Sequence, residues 1–149
     1  MKVTYNQTIA KFQEFATSHR QVNEFANGDL WEAIQHNKLT DFKYPLLFVM
    51  DNNAPIGSKE ITLSFSVVVM DKANEGTVEN EVKSDTLLIL LDLLAYLDKD
   101  VTDNWKYVVL QRQGSAEPFT ERLDDTLTGW QINIDLKQPL AYDTCQIPN

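Results

Sequence analysis

The sequence predicts an α+β domain: a mostly antiparallel sheet of about four or more strands, backed by one long helix and preceded by a short amphipathic helix. Three observations carry that prediction. Residues 78–99, VENEVKSDTLLILLDLLAYLDK, form one leucine-dense segment that reads as a single helix over about residues 78–98. Residues 60–70 and 127–136 alternate apolar and polar side chains with the period of a strand. The order helix, strand, strand, long helix, strand, strand lacks the regular βα alternation of a parallel sheet.

Residues 4–19 place Ile9, Phe12, Phe15 and Ala16 at helical spacing opposite Lys11, Gln13 and Glu14, so the first helix covers a core with one face. Asn27-Gly28-Asp29 is a turn signal, because glycine accepts positive φ and Asn or Asp side chains bond the neighbouring backbone. Leu30-Trp31-Glu32-Ala33-Ile34 reads as one more helical turn or a short strand. Residues 44–50, YPLLFVM, are a continuous apolar run closed by Asp51-Asn52-Asn53, a buried strand with Pro45 at its start. A loop over 52–58 leads into 60–70, where Ile61, Leu63, Phe65, Val67 and Val69 take one face and Thr62, Ser64, Ser66, Val68 and Met70 the other.

Residues 71–76 are a polar loop and Thr77 is the expected cap of the long helix. Glu79 and Glu81 lie near its N-terminus, where carboxylates favour the dipole, and Lys99 has the matching sign at the other end. Residues 105–111 alternate again, and 114–118 is a turn or a longer protruding loop. In the last strand Trp130, Ile132, Ile134 and Leu136 share the core face, while Gln131, Asn133, Asp135 and Lys137 share a wet one. Pro139 ends the ladder. The long helix poses a problem of cover, since it is apolar around most of its circumference from Thr86 onward and a sheet covers one side only. Leu87, Leu90, Leu91 and Leu94 are expected to back the sheet, leaving Leu88, Tyr96 and the helix end for the N-terminal helix or a neighbouring subunit.

At 149 residues the chain has the length of one domain, and no Pro, Gly or Ser run marks a linker, so residues 1–149 read as a single domain. A net charge of −9, from 22 acidic against 13 basic residues, argues against a surface that grips nucleic acid by neutralising phosphates, and no sequence-specific binding is expected. Cys145 is the only cysteine, which rules out an intrachain disulfide and suits a reducing cytosol. Asp92 interrupts the leucines, so no apolar run approaches the roughly 20 residues that span a bilayer. The first residues lack the apolar stretch of a signal peptide, and no membrane association is expected.

The residues that carry chemistry are sparse. His19 and His36 stand in no metal-binding spacing, and Cys145 has no histidine near it in sequence. Asp98, Asp100 and Asp103 lack the glycine and terminal glutamate of a calcium loop and read, with Asp124-Asp125, as solvated turn residues. Ser64 and Ser66 lie inside a strand with no base beside them. The expectation is a chain without metal or cofactor that is not an enzyme. Of the tryptophans, Trp130 is in phase with the core, and Trp31, following a turn, is the one placed to meet a partner.

Several segments, in order, carry a resemblance: Gly28-Asp29-Leu30-Trp31-Glu32, then YPLLFV over 44–49, SFSVVVMD over 64–71, NEVKSDTL over 80–87, GWQINIDL over 129–136 and CQIP over 145–148. Together they resemble a family of small virion structural proteins of tailed phages and prophages of Bacteroides-type hosts, crAss-like phages included. The resemblance implies a head-to-tail connector or tail protein, similar to tail-terminator or tail-completion subunits, that assembles as a homo-oligomeric ring around the DNA channel. It implies an α+β fold with a helix-backed sheet. It also implies other phage neck and tail proteins as partners, a place in the virion and synthesis in the host cytoplasm; it brings no catalytic residues.

A ring subunit needs a head-to-tail interface that closes. Residues 111–125 form a connection longer than an ordinary hairpin loop and are the expected arm toward a neighbour. Within it Gln111, Arg112, Gln113, Gly114, Ser115, Ala116, Glu117, Pro118 and Phe119, together with Trp31, make the candidate subunit interface. The acidity suits a channel wall past which DNA slides without sticking. The competing reading is a small dimeric ligand-binding or regulatory α+β domain, which requires a concave apolar pocket with a few convergent polar groups.

Overall fold

Thr4 opens the first helix with a capping box: its hydroxyl accepts from the Gln7 N–H at 3.2 Å, and the Gln7 side chain accepts from the Thr4 N–H at 2.9 Å. That helix is α1 (Tyr5–Ser18), followed by β1 (Glu24–Asn27), α2 (Leu30–Gln35), β2 (Leu46–Asp51) and β3 (Glu60–Lys72). The chain continues through α3 (Glu79–Asp103), β4 (Val109–Gln111), β5 (Glu117–Arg122) and β6 (Thr126–Pro139). The computed structural model describes residues 4–35, 41–73, 79–103, 109–111, 115–122 and 126–139.

The fold is α+β, with six strands in one mixed sheet of order β1-β2-β3-β6-β4 and with β5 also paired to β6. Its spine is the antiparallel pair β3 and β6, in register from Glu60 opposite Pro139 to Lys72 opposite Leu127. Both strands run further than their alternation predicts, because backbone pairing continues through Asp71 and Lys72, which the sequence assigns to a loop. The β1–β2 pair is parallel and the other pairings are antiparallel. A parallel pair needs a crossover, and the stretch carrying α2 supplies it.

The sheet separates two apolar clusters. On one face α1 and α3 pack Phe12, Phe15, Ile89, Leu90, Leu93 and Leu97 against Leu47, Val49, Phe65, Val67, Val69, Ile132, Ile134 and Leu136. On the other, α2 brings Leu30 and Ala33 onto Leu46, Phe48, Val68 and Met70, joined by Phe119 and Leu127. This second face is apolar at one end only. Toward the other end Ser64 donates to Asp135 Oδ1 at 2.6 Å, and the Ser66 hydroxyl lies 2.9 Å from Asn52 Oδ1 and 2.8 Å from Asn133 Oδ1.

Several expectations change here. β1 and β5 are strands where the sequence shows no alternation, and α3 continues to Asp103 because neither Gly nor Pro interrupts its backbone bonding. Asp98, Asp100 and Asp103 are therefore helical residues and not turn residues, and Lys99 lies inside α3, whose last turn holds no basic side chain. Thr77, residues 104–108 with Trp105, His36, Asp124-Asp125 and Cys145 lie outside the described residues.

Candidate interaction surface

The leucines of α3 separate into inner and outer sets by helical phase. Val82, Thr86, Ile89, Leu90, Leu93 and Leu97 recur at steps of three and four and are buried, so they form the stripe that meets the sheet. Leu87 and Leu94 flank it, half-buried. Leu91, expected in the core, is instead 50% exposed, and Leu88 is 56% exposed. The reason is geometric: at about 100° per residue, Ile89 and Leu90 straddle the centre of the buried stripe, and Leu91, a further 100° or so round, faces away from the sheet.

The question of the second cover is answered in part by α1. Phe15 meets Tyr96 with ring centroids 5.4 Å apart, and His19 Nε2 lies 2.9 Å from Asp92 Oδ2. The Gln21 N–H donates to His19 Nδ1 at 3.2 Å, so the tautomer with hydrogen on Nε2 is the one that reaches Asp92. The outer stripe of Leu88, Leu91 and Ala95 stays uncovered, bordered by Glu81, Asp85 and Asp92.

On the opposite face α2 starts at Asp29, whose carboxylate accepts from the N–H groups of Trp31 at 2.9 Å and Glu32 at 3.4 Å. Gly28 makes the turn before it with φ of +147°, a conformation that side chains oppose. With Leu30 and Ala33 turned inward, Trp31 faces outward and is 62% exposed. A cavity of 270 Å³ is lined by Asp29, Glu32 and Ala33 together with Ala26, Phe42 and Phe48.

The expected arm over 111–125 has a different form. Glu117–Arg122 is an edge strand on β6, with Pro118 opposite Trp130, and proline is tolerated at such an edge. Phe119 is buried in the second cluster and so is removed from the candidate interface by packing within its own chain. Ser115, Glu117 and Pro118 are exposed and Ala116 packs against the first cluster. Gln111 ends β4 opposite Asp135, and Arg112, Gln113 and Gly114 lie outside the described residues.

A paired arm exists elsewhere, where the sequence reads as a loop. From Asn52 the chain runs alongside β3: Asn52 N–H donates to Ser64 O at 2.9 Å, Ser64 N–H to Asn53 O at 3.0 Å and Thr62 N–H to Pro55 O at 3.0 Å. The Gly57 N–H closes the turn on Glu60 O at 2.7 Å. The β2–β3 hairpin thus extends past the end of β1 and holds Ile56, 68% exposed, near its tip. At its base Tyr5 donates to Asp51 Oδ1 at 2.5 Å; burial first, then that carboxylate, pushes the phenol up to about 12.

Ser64, read from sequence as lacking a base, has the Asp135 carboxylate beside it, but a serine nucleophile is ordinarily activated through a stronger base such as an imidazole. The described histidine, His19, lies beside α3 on the other face of the sheet. Among the described residues no group of three His, Cys, Asp or Glu is placed to hold a metal ion, and no helix is long and apolar enough to cross a membrane. No protein-family model matches the chain, and no curated protein is significantly similar to it.

Proposed function

We propose that this chain is a structural subunit that assembles head to tail into a closed ring, in a phage head-to-tail connector or tail of the tail-terminator or tail-completion kind, with DNA passing through the ring. The observation that carries the proposal is the position of its uncovered apolar side chains. Leu88 and Leu91 stand on α3 in front of the sheet, and Trp31 stands on α2 behind it, each at least half exposed. A head-to-tail contact joins two different patches of one surface, whereas a twofold dimer uses one patch twice. Burying an exposed leucine or tryptophan against a partner is favourable, and tryptophan is enriched among interface anchors.

The virion setting and the neighbouring neck or tail proteins come from the resemblance of the sequence segments. The net charge of −9 and the acidic border of α3 favour a wall that DNA passes without adhering. Native mass spectrometry and negative-stain imaging of the purified chain test the proposal. A discrete closed ring is the expected result. A chain that stays monomeric, or a twofold dimer with a bound small molecule, overturns it and favours the ligand-binding alternative.

A further inference from the structure

The hairpin arm carries an exposed apolar side chain and a cation, and the α2 cavity carries apolar side chains and two carboxylates. Ile56 is the most exposed large apolar side chain described, yet the backbone around it is held by hydrogen bonds on both sides of the turn, so its position is defined. Residues 52–57 carry it roughly 15–20 Å along the strand direction. The tip is cationic in effect: the Glu60 carboxylate is engaged by Lys137 at 3.0 Å, which leaves the exposed Lys59 beside Ile56. The lining of the 270 Å³ cavity combines Ala26, Ala33, Phe42 and Phe48 with Asp29 and Glu32.

We infer that the hairpin arm of one copy docks on the α2 side of the next copy, with Ile56 in the cavity and Lys59 facing Asp29 and Glu32. The inference rests on the ring proposal and names one contact within it. Arm and cavity are different surfaces of the same chain, so the contact is head to tail and repeats from copy to copy. Apolar seating supplies the attraction, and the charges fix orientation.

Disulfide trapping tests it. With Cys145→Ser as background, chains carrying Ile56→Cys are mixed with chains carrying Glu32→Cys and oxidised mildly. Both positions are exposed, so neither change disturbs a packed side chain. The mixed 56–32 disulfide is expected to exceed the 56–56 and 32–32 pairs by about tenfold, because docking raises the local concentration of one thiol near the other. In chains with native cysteine content, Lys59→Glu weakens assembly about fivefold and Glu32→Lys added to it restores assembly. If rings form in native mass spectrometry while the mixed disulfide stays at the level of the like pairs, the docking contact is wrong and the ring proposal stands. A chain that never assembles overturns both.

Discussion

The indole N–H of Trp130 on β6 donates a 2.8 Å hydrogen bond to the backbone carbonyl of Lys83 on α3. The bond ties the N-terminal half of the long helix to the central strand of the sheet, while the ring itself packs at the border of the first cluster. Trp130→Phe keeps most of the apolar contact and removes the donor. The expected loss is about 1–2 kcal/mol, one net hydrogen bond plus a reduced ring, read as a lower urea midpoint with an unchanged slope.

The phase of α3 is tested by adjacent leucines. Leu90, 1% exposed, supports the sheet, and Leu90→Ala is expected to cost about 2–5 kcal/mol in urea unfolding. Leu91→Gln, at a half-exposed site, is expected to stay within about 0.5 kcal/mol. If the outer stripe serves in assembly, Leu88→Asp together with Leu91→Gln leaves this stability intact and lowers the apparent mass in native mass spectrometry. Equal losses at 90 and 91 would contradict the observed rotation of the helix.

That helix also shows where sequence is legible and where it is not. A long run with leucine at nearly every position announces a helix, but an all-round apolar surface carries no phase, and only packing chooses Leu90 and Leu93 over Leu91. The alternation in β3 and β6 announces their inner faces correctly, because one side of each must be dry. EFAN and EPFTER carry no such signal; they are strands because β2 and β6 offer them unpaired backbone groups. The arm is hidden for the same reason. Asn52, Asn53, Pro55 and Gly57 are loop residues by type, and their order comes from bonds to β3.

Tyr5 provides a pH test at the base of the arm. Its phenol is raised to about 12, by burial first and then by the Asp51 carboxylate, from an ordinary value of 10.0. The folded state therefore holds this proton more tightly than the unfolded chain. The contribution is fully present below about pH 10 and is lost as pH rises toward 12. An absorbance titration of tyrosinate should show a late-titrating step that Tyr5→Phe removes, and the variant's stability should fall less steeply over that alkaline range.

Asp71 gives a second pH test with the ionised form disfavoured. Burial raises its carboxyl above the ordinary carboxylate range, and Asp85 adds to the shift, while the Lys72 N–H bond at 2.8 Å opposes it. The folded state again holds the proton more tightly, so stability falls as pH rises through the folded value. Asp71→Asn keeps the acceptor for Lys72 and removes the charge. It is expected to raise Tm slightly at neutral pH, with the advantage shrinking as pH falls through the raised folded value and gone below about pH 4, where the native carboxyl is neutral in both states.

Gly129 is the position where added volume has nowhere to go. A Cβ there would lie 1.8 Å from the Val69 carbonyl oxygen and 2.8 Å from its carbon, and both belong to the backbone of the central strand partner. Phe119 is its cross-strand neighbour on β5 and Met70 its neighbour on β3, so the glycine is paired on both sides. Relief would require β3 and β6 to separate where Met70 opposes Gly129, the third pair from the Lys72–Leu127 end of their shared register. Gly129→Ala is therefore expected to cost at least about 3 kcal/mol and to reduce soluble yield. Gly57 at the arm's turn is the control, because its Cβ would meet the flexible Glu60 Cγ at 3.2 Å. Gly57→Ala should stay within about 0.5 kcal/mol of the parent in the same urea titration. A Gly129→Ala protein that unfolds at the parental midpoint would show that the β3–β6 register is not the one described.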